Sequence, residues 1–257
     1  MALEQKISKH AAKRGAVAHL VSSGDLIDRG RDSAGVVRHL REGVAAGTHT
    51  VVFGNHEQIL LEILRQFAPR VWGDAGIECV GRLRDYREMH DTLQTSARYL
   101  DTPAYLEMRR LLWVAEGGGA TLASYGCSAS DPTTWTVPAA DLRFLATRPL
   151  LWETEHAFVT HALCDLDALN AVRAHQGGTG PEPTFAQVMS IIWGRKLPQQ
   201  RLDPNKWHVS GHMAAKRVRV KRALGCVQVD SACVFGYKLS AWCAETEDIL
   251  SVKAGAG

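Results

Sequence analysis

Two short phrases constrain the fold of this chain more than any other feature. They are Gly24-Asp25-Leu26-Ile27-Asp28-Arg29-Gly30 and Gly54-Asn55-His56-Glu57. Each follows an apolar run and precedes a helical pattern, so each reads as a strand-to-helix junction. Ala16–Val21 reads as a buried parallel strand ending at Gly24-Asp25. A helix is expected over Ser33–Ala46, with Asp32 or Ser33 as its cap, and Thr48–Phe53 reads as a second buried strand delivering Asn55 and His56. That order is the logic of a βαβ unit, and open parallel sheets display their chemistry at the carboxyl ends of the strands.

The rest of the chain divides by pattern. An amphipathic helix is expected from Ala2 to about Arg14. From Glu57 to about Gly117 the sequence is helical and polar, with helices expected at Glu57–Ala68, Asp85–Arg98 and Pro103–Trp113. This segment reads as a helical insert capping the site, with Gly117-Gly118-Gly119 as the hinge back to the sheet. Strands are then expected at Ala120–Tyr125, His156–Thr160, Lys206–Ser210, Arg217–Val220, Cys226–Asp230 and Leu239–Trp242, interrupted by a helix near Pro183–Trp193. Antiparallel strands after parallel βαβ units imply a second sheet packed on the first. The expected fold is α/β: one domain over residues 1–257, a two-sheet mixed β-sandwich flanked by helices, with residues 57–117 as the insert.

Composition excludes several classes. Of 257 residues, 46% are hydrophobic and 22% charged, ordinary values for a globular protein. No apolar run approaches the roughly 20 residues of a membrane span, and the N-terminus lacks the pattern of a signal peptide, so a cytoplasmic location is expected with no membrane partner. The six cysteines form no C-x-x-C pair and read as reduced apolar residues. A net charge of +3 is too small to argue for nucleic acid. The one basic cluster, Lys216–Arg222, alternates with valines, which suits a strand with one solvated face; a positive rim attracting an anionic substrate is the other reading.

Four residues at strand ends carry metal-ligand chemistry. Asp25 offers a carboxylate and Asn55 a neutral carbonyl oxygen one βαβ unit later. His161 and His212 each close a short strand at a small-residue turn. Two imidazoles and two oxygens suit a borderline divalent ion such as Mn, Fe or Zn. An isolated histidine at a strand end is commonly structural; the shared topological position of all four residues argues for a joint role. His56 follows Asn55 and is the candidate general acid, because a histidine can hold its proton near neutral pH. Asp28 can accept a hydrogen bond from His56 and keep it protonated, or it can simply cap the next turn. Arg29 offers a fork of donors for phosphoryl oxygens, and Arg195 is a candidate second clamp.

With these motifs in hand, the chain resembles the calcineurin-like metallophosphoesterases, in the branch holding Ser/Thr protein phosphatases and symmetrical bis(5′-nucleosyl)-tetraphosphatases. The resemblance is carried by Gly24–Gly30, Gly54–Glu57, Gly118–Gly126, Thr160–Ala162, Trp193–Arg195, Gly211-His212 and Asp230–Ala241. It implies two divalent metal ions bridged by Asp25, with Asn55, His161 and His212 completing one of them. It also implies an acid pair of His56 and Asp28, and phosphate contacts from Arg29 and Arg195. The implied substrate is a phosphorylated protein or a nucleotide; degeneration to a non-catalytic phosphate-binding protein is the third reading. The family opens with a Gly-Asp-x-His-Gly motif that does not occur here. Its Asp and His hold the other metal, and His10 and His19, the only upstream histidines, do not replace them. The expectation is therefore an incomplete second metal site and low turnover by this chain, restored by an upstream coding segment. Relatives also carry a small residue and then Gly where Ala162-Leu163 stands. Manganese is the metal the resemblance implies, with iron or zinc as the alternatives.

Overall fold

The computed structural model describes residues 2–77 and 102–255. The first helix, α1 (Ala2–Ala12), is followed by β1 (Leu20–Ser22), α2 (Ser33–Ala45) and β2 (His49–Val51). β1 and β2 pair in parallel, Leu20 opposite His49 and Ser22 opposite Val51, as the βαβ reading requires. The strand expected from Ala16 is shorter than its apolar run. Residues 16–19 are irregular and Val17 is 96% exposed, so apolar content alone does not bury that stretch. α2 begins where Asp32 accepts the Gly35 N–H at 2.9 Å, which satisfies one of the helix's unpaired amides.

The described part of 57–117 is helical. α3 (Asn55–Phe67) and α4 (Pro69–Ala75) come first, then α5 (Pro103–Trp113), capped by Thr102 with Pro103 in its first turn. The helix expected at Asp85–Arg98 lies outside the described residues. α5 runs into a π-turn at Val114–Gly118, where Gly117 has a φ of 133°. The chain then forms α6 (Gly119–Ser124). This corrects the strand expected over Ala120–Tyr125: the short apolar run carried no decisive period, and packing of α6 against α2 settles it as helix.

Next come α7 (Ala139–Ala146), β3 (Trp152–Glu153), β4 (Ala157–Thr160), α8 (Leu166–Gln176), α9 (Phe185–Trp193), β5 (Trp207–Ser210), β6 (Arg219–Lys221) and β7 (Cys226–Gln228). β3 to β7 form one five-stranded sheet in the order β3-β4-β5-β7-β6. Its centre is parallel, β4 with β5 and β5 with β7, and only the edge strands β3 and β6 run antiparallel. The expectation of antiparallel strands is therefore corrected for the centre of this sheet: α8 and α9 lie on the connection between β4 and β5, as a parallel crossover demands. A hairpin of β8 (Lys238–Trp242) and β9 (Ile249–Lys253) completes the described elements.

Two apolar clusters hold these layers. The larger packs α3, α7, α8 and α9 around Phe53 and Phe158. The smaller joins Val52, Ala157, Val159, Val209 and Val227, with Val21 and Trp242 against it, so it lies between the β1–β2 pair, the five-stranded sheet and the β8–β9 hairpin. Sheet-on-sheet packing of this kind brings the ends of β1, β2, β4 and β5 to one place. The fold is α/β with mixed sheets and flanking helices. No helix among the described residues is long and apolar enough to cross a membrane. The five described cysteines are free thiols.

Candidate metal and phosphate site

β1 runs into a loop whose backbone is unusual. Asp25, Asp28 and Arg29 have φ values of 56°, 71° and 63°, and His212 on the facing loop has 62°. Left-handed backbone at non-glycine residues costs energy, so the surrounding contacts must hold it. Gly24 and Gly54 make the crossing of the two loops possible. A Cβ on Gly24 would come within 2.9 Å of Gly54 N and Val52 O, and one on Gly54 within 2.5 Å of Asp25 Oδ1. Only glycine lets the two backbones pass this closely.

The residue that clamps the crossing is Glu57. Fully buried, it accepts the N–H groups of Asp25 at 2.9 Å, Leu26 at 2.7 Å and Gly54 at 2.9 Å. Burial, and then the neighbouring Asp25 charge, raise its pKa to about 7. Sequence reasoning placed Glu57 in the motif but assigned it no role; its position as third residue of the helix, from which a Glu side chain reaches back to the N-cap amide, was the available signal.

Asp25, Asn55, His161 and His212 meet at this crossing. His161 Nε2 lies 2.8 Å from Asn55 Oδ1 and 3.4 Å from Asp25 Oδ2. His212 Nδ1 lies 3.0 Å from Asn55 Oδ1, and the two imidazoles meet edge-on with centroids 5.2 Å apart. One ligand atom each from Asp25, His161 and His212 falls within 4.8 Å of the others. The protonation of His161 is informative. Its Nδ1 is 2.6 Å from the Ser23 carbonyl, which can only accept, so Nδ1 carries a hydrogen. In the neutral ring Nε2 is then a bare lone pair, converging with the oxygens of Asn55 and Asp25. Burial lowers the His212 pKa to about 4, so that ring is neutral. Ligand atoms converging on one point fit a divalent cation, and two imidazoles with two oxygens fit a borderline one.

His56 and Asp28 form a second pair beside this cluster. His56 Nδ1 is 2.6 Å from Asp28 Oδ2, and the backbone N–H of His56 donates to Asp25 Oδ1 at 3.1 Å. Burial opposes charge on the imidazole, but the Asp28 hydrogen bond and the charges of Asp25 and Asp28 outweigh it and raise the pKa. Asp28 is itself held from three sides. The Thr121 hydroxyl donates to its Oδ1 at 2.7 Å and accepts its backbone N–H at 2.8 Å, while Trp113 Nε1–H donates to its Oδ2 at 3.0 Å. Trp113 on α5 and Thr121 on α6 were missed from the sequence; neither carries a local signal, because each acts on a residue some ninety positions away.

The two arginines are placed differently. Arg29 is exposed at the loop tip, its Nε donating to Glu116 O at 3.1 Å and its guanidinium 5.7 Å from the Phe235 ring. Arg195 is exposed just past α9, near enough to His212 for its charge to oppose protonation of that ring. Neither upstream histidine joins the site: His19 bonds Thr50 and stacks on Trp152, and His10 faces Asp248.

Comparison with known proteins bears on the family and the fold. The family model of the calcineurin-like phosphoesterases matches residues 2–212. A crystal structure of a candidate diadenosine tetraphosphatase superposes with a TM-score of 0.51 at 18% identity, covering 99% of this chain and 88% of that one, which supports the fold. No curated protein matches the sequence.

Proposed function

The chain belongs to the calcineurin-like phosphoesterase family, and on that premise we propose that it hydrolyses phosphate esters with divalent metal held at Asp25, Asn55, His161 and His212. The observation that carries this reading is the convergence of His161 Nε2, Asn55 Oδ1 and Asp25 Oδ2, with Ser23 O holding the histidine proton on the far nitrogen. A bound ion of the manganese, iron or zinc type supplies Lewis-acid polarisation of phosphoryl oxygen and acidification of water. The chain's own residues do the remainder. Arg29 and Arg195 draw the anionic group to the loop tips. His56 presents its second ring nitrogen to the leaving oxygen and gives up a proton there, as a general acid. Asp28 fixes the imidazole through Nδ1 and stabilises its charged form, and Thr121 and Trp113 fix Asp28.

A phosphorylated Ser or Thr side chain is the first substrate class. A dinucleoside tetraphosphate is the second, favoured by one observation: the Phe235 ring is 61% exposed beside Arg29, where a nucleobase can stack while the arginine holds phosphate. The test is a parallel assay of the manganese-supplemented chain on a phosphopeptide and on diadenosine tetraphosphate. Metal-dependent turnover of one is expected. Asp25→Asn should abolish both turnover and manganese binding. His56→Gln should lower kcat by about 10²–10⁴-fold with manganese still bound. Absence of turnover on both substrates with manganese, iron and zinc alike would overturn hydrolysis. Phosphate binding lost in Arg29→Ala would then identify a non-catalytic phosphate-binding protein.

A further inference from the structure

A second group of metal-ligand side chains lies away from this site and shares no residue with it. Glu4 on α1, His39 on α2 and His49 at the start of β2 bring one ligand atom each to within 4.8 Å of the others. Glu4 Oε1 is 2.8 Å from His39 Nε2 and 3.7 Å from His49 Nε2, and the two rings meet edge-on with centroids 5.6 Å apart. Ligand atoms held about 2.0–2.2 Å from a tetrahedral ion stand roughly 3.3–3.6 Å from one another. The two measured separations bracket that spacing, so small side-chain rotations suffice.

The hydrogen bonds around His49 say what is missing between these atoms. The Thr48 hydroxyl donates its one proton to Gly43 O at 3.1 Å, so its oxygen accepts from His49 Nδ1 at 2.8 Å. In the neutral ring the other nitrogen, Nε2, is then a bare lone pair. It is buried without a hydrogen-bond partner and faces a carboxylate oxygen at a distance too long for an N–H···O bond. The His49 side chain is only 12% exposed, so water does not readily relieve this arrangement. A cation does.

We infer that Glu4, His39 and His49 form a second divalent-cation site of the zinc type, with three protein ligands and one open position for water. Two imidazoles and one carboxylate select zinc, copper or nickel over magnesium and calcium. The placement gives the site a structural consequence. α1 is fastened to β9 and its flanking turn by Lys6 Nζ donating to Ser251 O and by Arg14 pairing with Asp248. Glu4 reaches the opposite way, to α2 and β2. A cation there ties α1 across to the strand that leads, through Phe53, into Asn55.

The test uses zinc as the probe and a background in which the first site is dismantled by Asp25→Asn with His212→Ala. That protein is expected to bind one zinc per chain by equilibrium dialysis and to melt at a higher temperature with zinc than without. Adding His49→Gln, Glu4→Gln or His39→Gln should weaken zinc binding at least about tenfold and remove the rise in Tm. The half-exposed His39 is the variant least able to disturb the fold, and unchanged metal-free melting and far-UV circular dichroism identify the variants that report on binding. Failure of the background protein to take up zinc overturns the site and leaves a plain imidazole–carboxylate pair. Zinc binding that survives His39→Gln and His49→Gln overturns it equally.

Discussion

At the scale of single residues, the site is organised around protons that have only one place to go. Ser23 O holds the His161 proton on Nδ1, and Asp28 holds the His56 ring by the same atom. Thr121 is the residue on which the His56–Asp28 pair turns, since it both donates to the Asp28 carboxylate and accepts the Asp28 N–H. Thr121→Val keeps the shape and removes both bonds. It should cost about 1–3 kcal/mol of stability, the penalty for leaving buried polar groups unpaired. It should also lower kcat by about tenfold with little change in KM, a fraction of the 10²–10⁴ that a positioned acid supplies. Thr121→Ser should restore most of the rate. Steady-state kinetics of the two variants check this; equal loss of rate in both would assign Thr121 to packing alone. The pairing of His56 with Asp28 was legible in the sequence because both lie in motif loops. The supporting Thr121 and Trp113 were not, because hydrogen bonds across the fold leave no periodic trace.

At the scale of elements, sequence signals worked where local chemistry dominates. Thr102-Pro103 announces α5 and Asp32 announces α2, each through side-chain or ring chemistry confined to one turn. They failed where an element is set by what it packs against. The run Ala120–Tyr125 is too short for its period to distinguish helix from strand, and α2 decides for helix. α8 was not anticipated among the expected strands, although Asp165 marks its start by accepting the Ala168 N–H at 2.8 Å. That bond also holds the Asp165 carboxyl below its ordinary pKa, assisted by Ser190. Asp165→Ala is expected to destabilise the protein by about 1 kcal/mol at neutral pH, as loss of an N-cap does. The difference should fade as pH falls through the depressed Asp165 pKa, below its ordinary 3.8, because a protonated carboxyl no longer favours the amide. Urea unfolding of both proteins across that range measures it.

At the scale of the whole molecule, stability depends on a central sheet buried on both faces. All four residues of β4 are buried, and His208 in neighbouring β5 is buried too, its ring stacked on Phe158 and its Nε2 2.7 Å from Thr160 Oγ1. Burial lowers the His208 pKa from its ordinary 6.5 to about 3. The unfolded chain therefore takes up a proton below about pH 6.5 that the folded chain refuses until about pH 3. The stability this neutral histidine contributes is intact above that range. It declines as pH falls, by about 1.4 kcal/mol per pH unit, until the folded pKa is passed. Replacing it by His208→Gln should remove one proton's worth of slope between pH 6 and 4 in urea-derived unfolding free energies. An unchanged slope would show that His208 is charged in the folded state.

The sequence by itself determined the family resemblance, the βαβ beginning, and the candidates for metal ligand, acid and phosphate contact. These are properties of short motifs, where backbone geometry and side-chain chemistry are coupled within a few residues. Only the tertiary structure decided how the sheets pair, that the centre of the larger sheet is parallel, and that α5 and α6 supply the groups holding Asp28. It alone showed that Glu57 ties the two motif loops together, and that Glu4, His39 and His49 meet at all. The physical reason is the same in each case. Hydrogen bonds and packing between distant segments depend on which faces are brought together, and that is set by the burial of apolar surface across the whole chain, with no record at any one position.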